Sequence, residues 1–218
     1  MFEILLNNAG MLRDGLLTTL VVSFSTIGFG LVLGVMLAFG LMSRYRVVRW
    51  PCGVYRSFWR GTPILLQLLL VYYLLPEVGV DVAPISAAIL ALTLNTTAFQ
   101  AEIFRSGLAH IPPGQTEAAR LLGMGPWAIR RRILIPQMVR LILPPLTNEV
   151  ITILKNSSLV SVIAVTELMR VGQQIASNTY APLETYAAVG LVYLLVNLAL
   201  GQASRALERR QRGGLAAD

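Results

Sequence analysis

A chain of 218 residues in which 55% are hydrophobic, only 13% are charged and the mean hydropathy is +0.65 does not have the composition of a soluble domain. The net charge of +7 and isoelectric point near 10.2 would suit an anionic partner such as nucleic acid. The basic residues instead alternate with hydrophobic stretches along the chain, and orientation in a bilayer accounts for them better than nucleic-acid binding does.

The elements follow in chain order. Met1-Phe2-Glu3 lacks a basic leader region, and the uncharged window behind it, Gly15 to Ser43, is too long for a cleaved signal. It predicts a retained first span, in which Gly30-x-x-x-Gly34 permits close helix approach, read as packing within the chain in preference to a subunit interface. The next segment, RYRVVRWPCGVYRSFWRGTP, interleaves Arg with Trp50, Tyr55 and Trp59, as an amphipathic stretch lying in the membrane interface would. A second window, Gly61 to Pro76, is short and is extended back over Trp59 to make a second span. Val82 to Ala101 supplies a third, of about the 20 residues that cross a bilayer core.

Pro112 and Pro113 stop that helix and Pro113-Gly114 marks a turn. A short helix is predicted from Gln115, with Glu117 in its first turn and Gly123 ending it as a C-cap. Pro126 suits the first turn of a second helix, continuing through Ile133 towards Pro136. The fourth span falls within Leu141 to Val165, interrupted by Glu149 and Lys155, and the fifth is Thr185 to Ser204. The tail from Gln211 to Asp218 reads as disordered.

Charge orients these spans. Fifteen of the 18 basic residues follow the first, third and fifth spans, while Glu77, Asp81, Glu167, Arg170 and Glu184 lie in the loops of the opposite side. Lys and Arg beside short loops favour the cytoplasm, so the N-terminus is placed outside and the C-terminus inside. Within the membrane, Glu149 and Lys155 would each cost roughly 2.5 to 3.5 kcal/mol if exposed to lipid near the bilayer centre, so they should face protein, water or the interface. Glu149, Thr152 and Asn156 share one helical face. With Asn95, Gln100, Glu102 and Ser157 they form a candidate translocation path for a zwitterion. The competing reading makes the charges interfacial anchors and the amides and hydroxyls interhelical hydrogen bonds. Cys52 is alone and His110 has no partner at metal-ligand spacing, so no disulfide, metal site or catalytic residue is assigned.

The stretch Glu117 to Pro136, EAARLLGMGPWAIRRRILIP, is a polar, cationic hairpin between hydrophobic spans. Glu-Ala-Ala, three residues, Gly123, nine residues and Ile133-x-Ile135-Pro136 resembles the EAA loop of the permease subunits of ATP-binding-cassette (ABC) importers, with Ile135 where the family usually has Leu. Arg60 to Gln67, Ala101 to Gly107 and Lys155 to Ser161 look like the polar amino acid branch of these permeases, which carries histidine, glutamine, glutamate or arginine. The family usually has Gly where Ser106 stands, and often Asp-Thr in place of Asn156-Ser157.

The resemblance implies an all-α, polytopic membrane protein of about five transmembrane helices with the type I ABC importer permease fold. It implies a single permease domain over residues 1 to 218, with a cytoplasmic coupling loop at about 106 to 140. Glu117, Ala118, Ala119, Gly123, Ile133 and Pro136 would be its ATPase-facing and turn positions. The implied function is the transmembrane permease subunit of an importer for polar amino acids, in a prokaryotic inner membrane. Its implied partners are a pair of ABC ATPase subunits, an extracytoplasmic substrate-binding protein and a second permease subunit, identical or similar. The chain has no Gly-x-x-x-x-Gly-Lys-Ser/Thr phosphate loop, so ATP and Mg are expected on the ATPase and no cofactor on this chain. The alternative is an ATP-independent channel or secondary transporter with Glu149 in a coupling-ion site. A membrane enzyme lacks a recognisable nucleophile and base pair.

Overall fold

The computed structural model describes residues 2–213, and among these every regular element is helical. A short α1 (Phe2–Asn7) precedes the long first span α2 (Ala9–Leu41), which at 1.5 Å per residue runs for about 50 Å. The amphipathic α3 (Arg46–Gly61) meets α4 (Ile64–Glu77) at 111°. α5 (Pro84–Ala109) leads through the hairpin helices α6 (Pro113–Leu121) and α7 (Pro126–Ile129) to α8 (Ile135–Asn156). A 3-10 segment, Ser157–Ile163, then α9 (Leu168–Thr179) and α10 (Pro182–Gly213) complete the chain. Three helices are individually long and apolar enough to cross a membrane, and two more crossings are bent pairs, giving up to five.

α5 is the axis of the bundle, and small residues explain why. Ala87, Ala88, Ala91, Ala98 and Ala101 are all buried and let neighbouring backbones approach. A Cβ added to Gly30 of α2 would come within 2.5 Å of Thr96 Cγ2, and one on Gly34 within 2.9 Å of Gln100 Cβ. The Gly30-x-x-x-Gly34 pair is therefore an intramolecular seam between α2 and α5. Apolar clusters continue this seam: Val22 with Ala88 and Leu92, then Ala38 and Leu41 with Ala101 and Phe104. α2 and α5 thus run parallel. α4 and α8 return antiparallel to α5, through Gln67 against Asn95 and Glu149 against Thr96, and Thr147 meets Ser204 of α10. The C-terminal ends of α2, α5 and α10 therefore gather at one end, together with α3 and the hairpin.

Three expectations are corrected. The second span does not extend straight back over Trp59. Pro63 drives Thr62 into extended geometry, at φ −117° and ψ 151°, and the helix breaks there. The Gln67 amide takes over the released groups, donating to Trp59 O at 2.9 Å and Thr62 O at 3.0 Å. Second, the hairpin's last helix, expected to run towards Pro136 with the fourth span beginning separately beyond it, is continuous with that span through a π-turn at Arg130–Leu134. Pro136 has no N–H for a regular turn, and the ladder widens so that Ile135 N–H reaches Arg130 O. Third, the tail read as disordered from Gln211 is helical through Gly213, while Gly214 to Asp218 lie outside the described residues.

Candidate functional site

The hairpin is built on prolines and one glycine. Pro113 occupies the first turn of α6, where its missing N–H costs nothing, so that helix starts two residues before the Gln115 of the sequence reading. α6 ends in a Schellman motif: Met124 N–H donates to Ala119 O at 3.0 Å and Gly123 N–H to Arg120 O at 2.9 Å. Gly123 sits at φ +80° with open space around its Cβ position, so its role is conformational and not steric. Ile111, Ala119 and Ile129 are buried and anchor the hairpin. Gln137 donates to Gln115 Oε1 and to Ile133 O, tying the α6 and α8 arms together. No spacing in the sequence distinguished Gln137.

With the anchors inside, the tip faces outward. Glu117 and Ala118 are exposed, and so are Leu121 at 90%, Leu122 at 82% and Trp127 at 68%. An apolar patch of this kind beside a carboxylate and the three arginines Arg130 to Arg132 marks a contact surface. Ile133 is half-buried and Pro136 exposed at the base. Of the six positions expected in a coupling loop, Ala119 and Gly123 shape the hairpin, Glu117 and Ala118 present themselves at its surface, and Ile133 and Pro136 connect it to the span.

The polar residues between the helices form separate groups. Thr96 donates to Glu149 Oε1 at 2.6 Å and accepts from Gln100 Nε2 at 3.2 Å, all three buried between α5 and α8. Asn95 donates to Gln67 Oε1 at 2.7 Å and to Trp59 O at 3.1 Å, completing the lock on the α3–α4 corner. Glu102 pairs with Arg105 on its own helix and lies 3.6 Å from Arg56 of α3. It lines a cavity of about 420 Å³ with Arg60, Phe99, Ser106, His110 and Pro145, at the end of the bundle that holds the hairpin. On α8 the shared face divides: Glu149 is buried, Thr152 is exposed and Asn156 half-buried, while Ser157 is buried and bonded to Leu154 O. Thr152 donates its hydroxyl to Asn148 O of its own helix, and Ser157, at the start of the 3-10 segment, donates to Leu154 O in the last turn of α8, at 2.8 Å each. Lys155 is exposed on the other side, and His110 caps α5 with Nδ1 2.7 Å from Ser106 O.

Sequence reasoning placed Glu167 in an opposite-side loop, but it is fully buried. Its carboxylate caps α9, accepting from Arg170 N–H at 2.8 Å and Met169 N–H at 2.9 Å. It also accepts from Tyr193 Oη at 2.8 Å and Thr19 Oγ1 at 3.3 Å, joining α2, α9 and α10. The one available signal was a carboxylate immediately before the amphipathic run Leu168–Thr179.

Comparison with known proteins agrees with this geometry. Residues 30–213 match the family described as "Binding-protein-dependent transport system inner membrane component". The chain is 37% identical to the arginine transport system permease protein ArtQ of Bacillus subtilis, over 90% of each chain. It is 35% identical to the glutamine transport system permease protein GlnP of Escherichia coli, over 93% of each. Among solved structures, a chain of an amino acid ABC transporter with histidines superposes with a TM-score of 0.90 at 36% identity, covering 96% of this chain and 98% of that one. A chain of the MetNI methionine ABC transporter in an inward-facing conformation superposes at 0.76 with 21% identity, covering 93% and 97%, a likeness of fold.

Proposed function

The chain belongs to the family of binding-protein-dependent transport system inner membrane components, and from that membership we propose that it is a permease subunit of an ATP-driven importer for polar amino acids. The observation that carries this reading is the anchored hairpin with an exposed tip, continuous through the π-turn with α8. A partner gripping Glu117, Leu121 and Leu122 would move α8 directly, since no flexible link intervenes between Pro126 and Asn156. α8 carries Glu149, which bonds to the central helix α5, so motion at the tip reaches the core of the bundle. Such levering of packed helices between outward-open and inward-open arrangements is alternating access.

In this proposal the arginine-rich end faces the cytoplasm of a prokaryotic cell and the chain is a multi-pass protein of the inner membrane. A pair of ABC ATPase subunits holds the hairpins, ATP and Mg reside on those subunits, and this chain performs no covalent chemistry. An extracytoplasmic binding protein delivers the substrate, and a second permease subunit, identical or similar, closes the path. Support for the path residues differs in kind. Glu102 borders the cavity, and Thr152 and Asn156 sit on the open side of α8. Asn95, Gln100, Glu149 and Ser157 are bonded inside the subunit and would act by holding its wall.

The test is reconstitution of the chain with its ATPase and binding protein, followed by ATP-dependent uptake over a panel of labelled amino acids. Uptake should require every component and fall at least tenfold in Glu117→Lys, with the assembled chain retaining its thermal stability. Gradient-driven uptake by this chain alone would establish the secondary transporter instead.

A further inference from the structure

α3 presents three faces, of which packing within the chain uses one along its length and another only at its C-terminal half. Successive residues turn by about 100°, which puts Val48, Cys52, Tyr55 and Trp59 together on the inward side. Cys52 lies against Gly40 of α2, Tyr55 Oη donates to Leu94 O at 2.7 Å, and Trp59 O receives Gln67 and Asn95. A second face is apolar and outward, with Val47 85% and Trp50 67% exposed, followed by Val54 and Phe58. The third carries Arg46, Arg49, Arg56 and Arg60, and α3 contains no acidic residue. Arg56 approaches Glu102 and Arg60 covers the Phe99 ring, but among the described residues Arg46 and Arg49 have no carboxylate within ion-pair distance.

Between the cationic and apolar faces runs an open groove of about 590 Å³, lined by Arg46, Arg49, Trp50, Gly53, Val54 and Phe58 among others. Gly53 forms its floor, and nothing in the chain lies within 4 Å of where a Cβ would stand. The protein's own packing therefore does not require a glycine there, yet its absence of side chain is what leaves the floor open. The contact of Cys52 with Gly40, in the last turns of α2, sets the groove at the level where an apolar span ends. Unpaired guanidinium groups beside an exposed aromatic and aliphatic strip, at that level, match one amphiphile: a phosphate above and an acyl chain below.

We propose that this groove binds an anionic phospholipid, with Arg46 and Arg49 on its phosphate and Trp50, Val54 and Phe58 along its acyl chain. The site depends on the chain being embedded in a membrane and not on what it transports. Bound lipid would complete the outward faces of α3 and hold the α3–α4 corner at the membrane surface.

The experiment uses the chain assembled with its ATPase, purified in mild detergent, exposed to phosphatidylglycerol or phosphatidylcholine dispersed in mixed micelles of that detergent, and weighed by native mass spectrometry. The wild-type assembly should retain phosphatidylglycerol in several-fold excess over phosphatidylcholine. Both Arg46→Gln/Arg49→Gln and Gly53→Leu should abolish that excess, the second without changing any charge. Equal retention of the two lipids overturns the proposal, as does full retention by Gly53→Leu, which would reduce the effect to diffuse surface attraction. A change in permease stoichiometry in Gly53→Leu would also overturn it by assigning the face to a second copy of the chain. If the double arginine variant fails to assemble, Gly53→Leu decides alone.

Discussion

Single residues show how differently one side-chain type behaves across this membrane bundle. Three carboxylates, Glu102, Glu149 and Glu167, lie within or between packed helices, and each is satisfied by other means: arginines, a threonine hydroxyl, and a helix N-terminus with a tyrosine. Glu167 has the most partners, and its loss would orphan two backbone N–H groups and the Tyr193 hydroxyl in a buried site. Glu167→Ala should cost about 2 to 3 kcal/mol, combining a lost cap with unpaired buried donors. Glu167→Gln should cost less, because its amide oxygen still accepts. Thermal unfolding followed by tryptophan fluorescence should rank wild type above Gln above Ala. Equal midpoints for wild type and Ala would remove Glu167 from the list of structural ties. The sequence did not reveal this role because capping is a relation of angle and distance, and Glu is not among the usual capping residues.

Elements are set by prolines as much as by hydrophobic periods. Pro63 turns α3 from α4, Pro113 and Pro126 start the hairpin helices, and Pro136 converts a regular turn into a π-turn. Pro126 was readable in advance as the start of a helix and Pro113 as a break, whereas the break at Pro63 was not expected. The second hairpin helix was expected to run towards Pro136, and the chain passes that proline by widening the ladder. Pro136→Ala restores the donor and should let Arg130–Leu134 relax to α-helix. Amide hydrogen exchange in that segment should slow, with the unfolding temperature unchanged or raised. In the reconstituted importer, substrate moved per ATP should fall as the joint between hairpin and α8 changes pitch. Unaltered exchange at Arg130–Leu134 would show that something other than the proline holds the π-turn.

Across the whole molecule, helix direction follows from which groups meet. α2, α5 and α10 point their C-terminal ends to one end, where α3, the hairpin and the cavity of Glu102 are assembled. Contacts establish that these features share an end, and the arginine excess predicts that it is the cytoplasmic one. A Cys52→Ser, Glu117→Cys variant should react with a membrane-impermeant maleimide in inverted vesicles and stay unlabelled in right-side-out vesicles. The reverse labelling would invert the topology and place the hairpin where no ATPase could reach it.

Hydropathy, charge order and the spacing from Glu117 to Pro136 were sufficient by themselves for the class, the approximate number of candidate crossings and the family, because each is a property of residue type and separation along the chain. Gly123 as a turn residue was legible for the same reason, since only its φ matters and no neighbour is involved. The fate of the polar residues was not legible. Glu149 and Thr152 share a helical face in sequence, yet one is buried against Thr96 and the other is open. Asn95 reads as a path residue but is also the lock on a corner made by Pro63, 32 positions away. Helical period tells which residues share a side of one helix. Only the tertiary packing decides what stands opposite that side, and with it whether a polar group is exposed to open space or completes a hydrogen bond inside.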